Sequence, residues 1–128
     1  MRRAPGRAAA LDGTAVQWLA IAGYVLLAAG ILVARRPDAV THPQFWAEDG
    51  TVYYADAYNR GASALLSPGA GYLVLTPRLT ALLAQPLGLG EAPAIFNLVG
   101  LSFQLLPALF ILSSRFARLI PSLWLRAV

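Results

Sequence analysis

Two apolar runs dominate the pattern along the chain: residues 14–34, 21 in all, and 92–114, 23 in all, contain no charged side chain. At ~1.5 Å per helical residue each reaches roughly 30 Å, the thickness of a bilayer's hydrocarbon. The pattern predicts an all-α membrane protein with two full transmembrane helices, about 14–34 and 92–114. Between them lies a shorter apolar stretch, about 73–89. Thr76-Pro77 gives it a helix start and Pro86 bends its end. It is too short to cross unaided, so it reads as a short kinked span or a re-entrant helix.

The connection over residues 35–70 is far longer than the ~12–15 residues at which loops begin to carry function or structure of their own. Pro37 and Pro43 keep its start extended. From Ala47 the pattern turns helical, and Gly61 closes it. A loop helix over about 47–60, lying at the interface, puts Asp49, Tyr53, Asp56 and Arg60 on one face. It also sets Asp56 four residues before Arg60, the favourable order for an exposed ion pair. Phe45, Trp46, Tyr53, Tyr54 and Tyr58 fit an aromatic belt at headgroup level. Gly23 and Gly30 offer close-packing points on the first helix. At the far end Pro107 should kink the last long helix. Leu123-Trp124-Leu125 then looks like the opening of another one. Residues 1–128 are therefore expected to form a single membrane unit, the N-terminal part of a larger polytopic protein.

Composition supports lipid as the solvent. Hydrophobic residues make up 58%, charged residues 12%, and mean hydropathy is +0.59; a soluble domain carries about 25% charge. There is no cysteine, which excludes disulfides and thiolate metal sites. The ten basic residues are all arginine. With heavy use of Ala, Gly, Pro and Leu, this points to a GC-rich, bacterial gene and the cytoplasmic membrane. The net charge of +4 does not imply nucleic acid. Arg2, Arg3, Arg7, Arg35, Arg36, Arg115 and Arg118 flank apolar runs, where they suit lipid headgroups and orientation. A secretory leader has an apolar core of only ~7–15 residues, so the first run is expected to be retained as an anchor.

Orientation depends on the middle stretch. With three spans, residues 35–70 and the C-terminal tail share six arginines and would face the cytoplasm. With a re-entrant middle stretch, the two tails share six arginines, and the loop side has four against five acids. The second arrangement, with residues 35–70 extracytoplasmic, is the expected one.

Glu48-Asp49 is the sharpest candidate for chemistry. Vicinal carboxylates can serve as a general base or as oxygen ligands for a divalent cation, and crowding raises one pKa toward a useful range. The same acids would also simply stabilise a helix N-terminus. Arg78, close to apolar surroundings, is suited to gripping a phosphate or carboxylate, or else snorkels to the interface. Arg78 and Gln85 are seven apart, as are Asn97 and Gln104, so two polar stripes should face each other and serve helix–helix contact or line a path. His42 is the only histidine and has no partner for catalysis or ligation.

The segments Phe45-Trp46-Ala47-Glu48-Asp49-Gly50, Ala70-Gly71-Tyr72-Leu73 and Pro77-Arg78-Leu79 together resemble large bacterial integral-membrane proteins of the GT-C glycosyltransferase type. The resemblance covers roughly residues 45–84; the flanking helices match in hydropathy only. It implies a polyprenyl-phosphate sugar donor and a catalytic acid in the first extracytoplasmic loop, here Glu48 or Asp49. One of these would activate an acceptor hydroxyl or hold a divalent cation. Arg78 would meet the donor phosphate, with Tyr53 and Asp56 as further substrate-binding candidates. The class has eight or more spans, so a chain of two or three is expected to be inactive alone. Two other readings remain open on the sequence: a small non-enzymatic membrane protein or complex subunit, and part of a transporter with Arg78, Gln85, Asn97 and Gln104 lining the path.

Overall fold

The computed structural model describes residues 13–69 and 71–127. The basic tail with Arg2, Arg3 and Arg7 lies outside the described residues, as does Ala70 of the family-like motif. Among the described residues the regular structure is helical, with no strand. Helix α1 is Gly13–Arg35 and α2 is a single turn, Asp38–Thr41. A π-helical segment, Asp49–Tyr54, leads into α3 (Ala55–Arg60) and a 3₁₀ segment, Gly61–Leu66. Then come α4 (Leu75–Ala84), a 3₁₀ turn Gln85–Leu87, and α5 (Ala92–Leu112). Two short helices follow, α6 (Ser114–Ala117) and α7 (Leu123–Ala127).

Two helical stretches, Thr14–Arg35 and Ala92–Ala117, are long and apolar enough to cross a membrane. Leu32 and Arg35 share a groove with Asn97, Gly100 and Leu101, while Tyr24 shares one with Ile111 and Leu112. Rising numbers on one helix meet falling numbers on the other, so α1 and α5 are antiparallel. The end of α1 meets α5 near Asn97. The first five residues of α5 therefore stand roughly 8 Å beyond α1.

The loop elements pack around that projecting turn. Ala57, Ala81, Ala84 and Ala92 are fully buried there with Tyr54 and Phe96. Their small side chains let three helices approach closely. Phe45 closes the cluster, its ring edge-on to Phe96 at 5.5 Å and tilted against Tyr54 at 5.7 Å. Gly50 passes under Phe45 so tightly that a Cβ would come within 2.7 Å of the ring. Gly50→Ala should therefore cost about 1–3 kcal/mol, the usual penalty of overpacking. A thermal melt in detergent that stays within one degree of the parent would refute this.

Several sequence expectations are corrected. The middle helix α4 has ten residues, about 15 Å, half the reach of a span. Its start is at Leu75, with no side-chain cap, and Thr76 instead accepts a bond from Thr80 Oγ1 at 2.9 Å. The loop helix begins at Asp49, not Ala47, which has φ +46. Its first turns are π-helical, with Tyr53 N–H donating to the Glu48 carbonyl at 3.2 Å. Closing rings to i−5 turns the chain less per residue, so Asp49 rotates off the face of Tyr53 and Asp56. The aromatic belt divides: Trp46 and Tyr58 are exposed, whereas Phe45 and Tyr54 are packed inside. The second apolar helix ends at Leu112, where Ser113 turns extended. Pro107 does lie inside it. Among the described residues nothing approaches within 4 Å of a Cβ built at Gly23 or Gly30. Gly61 does close α3, at φ +58 and ψ −141, a backbone region essentially restricted to glycine.

Candidate functional site

Asp49 is placed by a tight reciprocal turn. Its N–H donates to the Trp46 carbonyl at 2.9 Å, and its Oδ2 accepts the Trp46 N–H at 3.3 Å. Ala47, between them, is the one non-glycine residue with positive φ among those described. Strain of this kind persists only where the surroundings over-determine it. Here the packed rings of Phe45, Tyr54 and Phe96 flank the turn.

The turn aims Asp49 into a groove of about 380 Å³, within the range of small-molecule sites. The end of α1 supplies Leu32, Arg35 and Arg36, and α5 supplies Asn97 and Gln104. Burial pushes the Asp49 carboxyl up from its usual 3.8; the Trp46 N–H works against this, and the Glu48 charge adds to it. The groove thus brings a half-buried acid of raised pKa together with two guanidiniums. Arg36 stands over the Trp46 ring at 5.4 Å and reaches exposed Asp38 at 3.4 Å. Glu48 is exposed and lines neither of the two grooves that Asp49 borders. Among the described residues no cluster of three or more His, Asp and Glu side chains occurs, so the acid pair has no third such ligand for a cation. His42 is exposed, its Nδ1 beside Thr41 Oγ1 at 3.1 Å.

Arg78, Tyr53 and Asp56 do come together, but onto one another. Arg78 is 1% exposed. Its Nη1 donates to Asp56 Oδ2 at 2.9 Å and to the Ala64 carbonyl at 2.8 Å, and its Cζ lies 5.4 Å from the Tyr53 ring centre. The expected Asp56–Arg60 pair is replaced by this one. Arg60 instead donates to Ser67 Oγ at 2.8 Å. The cluster ties the π-helical segment, α3 and α4 into one block.

The two polar stripes do not face each other. Asn97 turns to α2, donating to the Ala39 carbonyl at 3.1 Å, whereas Arg78 turns to Asp56. Gln104 borders two grooves along α1; Gln85 lies in the 3₁₀ turn after α4. Arg35 and Arg36 are the site residues that sequence reasoning missed, because a basic pair after an apolar run reads first as an orientation signal. The polar Asn97 inside the second run was the available hint, since an antiparallel partner must bring it to the end of the first. No family model, curated protein or solved structure matches this chain.

Proposed function

We propose that this chain is an integral membrane protein of the bacterial cytoplasmic membrane, and that its loop side takes part in sugar transfer from a lipid-phosphate donor. Asp49 acts as the base, and Arg35 and Arg36 receive the phosphate. The observation that carries this reading is Asp49 itself, a carboxyl with a raised pKa held in a groove beside two arginines. In the reaction Asp49 takes the proton of an acceptor hydroxyl, whose oxygen attacks the anomeric carbon. The bond from that carbon to the phosphate oxygen breaks, and the departing phosphate keeps the electron pair opposite the guanidiniums. Arg78, Tyr53 and Asp56 form the frame that holds the π-helical segment.

Membrane placement is supported by the outward faces of the long helices. Trp18 is 66% exposed and Leu26 71%, and no residue of the apolar window of α1 is buried. Water would penalise such a surface; hydrocarbon does not. With α4 too short to cross, both tails fall on one side with six arginines, the side expected in the cytoplasm. Asp49 then lies on the outer side.

The binding half of this reading is testable on the chain alone, in nanodiscs, with a photoreactive polyprenyl phosphate, binding being read as crosslinks to residues 32–49. Arg36→Gln should weaken binding about tenfold or more, the loss of one charge-assisted contact. Equal binding by the variant, or equal binding of the uncharged polyprenol, would eliminate the phosphate site.

A further inference from the structure

The α1–α5 seam carries a second groove, of about 450 Å³, on the other side of Gln104 from Asp49. Its walls are apolar: Leu27, Ile31, Pro107 and Ile111. Arg126 is the one charged residue lining it, and it is 7% exposed. Trp124, two residues earlier, packs edge-on to Tyr24 at 5.9 Å. This holds α7 against the middle of α1, eleven residues, or about 16 Å, from Arg35.

The polar groups at this end are only partly satisfied. Arg126 Nη1 donates to the carbonyls of Leu112 at 3.0 Å and Ser113 at 2.9 Å, the acceptors freed where α5 stops. Arg126 Nε and Ser113 Oγ are buried with no partner among the described residues. No ion pair to Arg126 occurs among those residues either. A guanidinium sunk in apolar walls with neutral acceptors alone is costly, and such residues mark functional sites when they face a cavity. The guanidinium fork is a donor suited to a tetrahedral oxyanion.

We infer that this groove binds a phosphate group carried on an apolar chain, with the Arg126 guanidinium taking the oxygens and the α1–α5 seam taking the hydrocarbon. The site is separate from the Asp49 groove and stands independently of the transfer reading.

The test is thermal protection of the detergent-purified chain by dioleoyl phosphatidic acid, dioleoylglycerol or inorganic phosphate. Phosphatidic acid should protect. Dioleoylglycerol, which lacks the phosphate, and inorganic phosphate, which lacks the chain, should not at equal concentration. Arg126→Met should weaken the protective binding at least tenfold. Arg126→Met also removes the α5 cap, so Ile111→Trp, which fills the groove and leaves the cap in place, provides the second reading. It should weaken the protective binding about fivefold or more. Arg36→Gln should leave phosphatidic acid binding as it was, which separates this site from the one near Asp49. Protection by dioleoylglycerol or by inorganic phosphate equal to that by phosphatidic acid would overturn the inference. So would unchanged binding in both Ile111→Trp and Arg126→Met.

Discussion

Asp56→Ala should destabilise the loop layer by about 3–5 kcal/mol, the cost of stranding one member of a buried ion pair. The carboxylate itself is 30% exposed, but Arg78 is 1% exposed, so the penalty falls on the guanidinium. Without Asp56 its hydrogen-bonding would reduce to the Ala64 carbonyl, with the Tyr53 face nearby and Nε already lacking a partner. Arg78→Met should cost less, because Asp56 left alone can still be hydrated. The double variant should be less impaired than the sum of the two, with a coupling of at least about 1 kcal/mol. Hydrogen exchange of the amides in Asp49–Leu66, with and without each substitution, measures this directly. A change under about 1 kcal/mol for Asp56→Ala would show that Arg78 finds another partner and that the block is not held by this pair.

If the proposed reading holds, Asp49→Asn removes sugar transfer and at the same time stabilises the protein. A positioned base contributes about 10²–10⁴-fold to rate, and the amide cannot take the proton. The stability change follows from the raised pKa. The folded state holds the Asp49 proton more tightly than the unfolded chain. Stability from this group is therefore complete below the usual value of 3.8 and declines as pH rises through the folded pKa. Above that window the ionised carboxylate disfavours folding, and Asn removes the penalty while still accepting the Trp46 N–H. Transfer depends on the ionised form, so it should rise with pH through the same window. Glu48→Gln removes a repelling charge and should move that rise to lower pH without abolishing transfer. The measurements are transfer from a polyprenyl-phosphate donor in native membranes of a strain carrying each substitution, and melts across pH. Wild-type transfer by Asp49→Asn would end the catalytic assignment.

The long helices were legible because hydrophobic length is a property of consecutive residues. The runs 14–34 and 92–114 correspond to Gly13–Arg35 and Ala92–Leu112 and differ from them by at most two residues at any end. Gly61 was legible for a similar local reason: a helix end needing positive φ favours glycine. The importance of Asp49 could be read from its neighbour Glu48 and its aromatic surroundings. Its direction could not. That depended on a π-helical start held by Phe45, Gly50 and Phe96, residues up to 51 positions apart.

Charge partners were the least legible feature. An i,i+4 rule assigns Asp56 to Arg60, and it applies when nothing else competes. Here α4 delivers Arg78 from 22 residues away into a buried position, where a guanidinium without a carboxylate costs far more than an exposed arginine does. Arg60, being exposed, settles for a serine hydroxyl.

The amino-acid order alone determined the two helices long and apolar enough to span a bilayer, since these follow from local propensity and run length, but not short turns such as Asp38–Thr41, where an extended start was expected. Which cations neighbour which acids, where α5 meets the end of α1, and which groove Asp49 enters were decided only by the packing. Those outcomes depend on desolvation and steric fit between segments far apart in the chain.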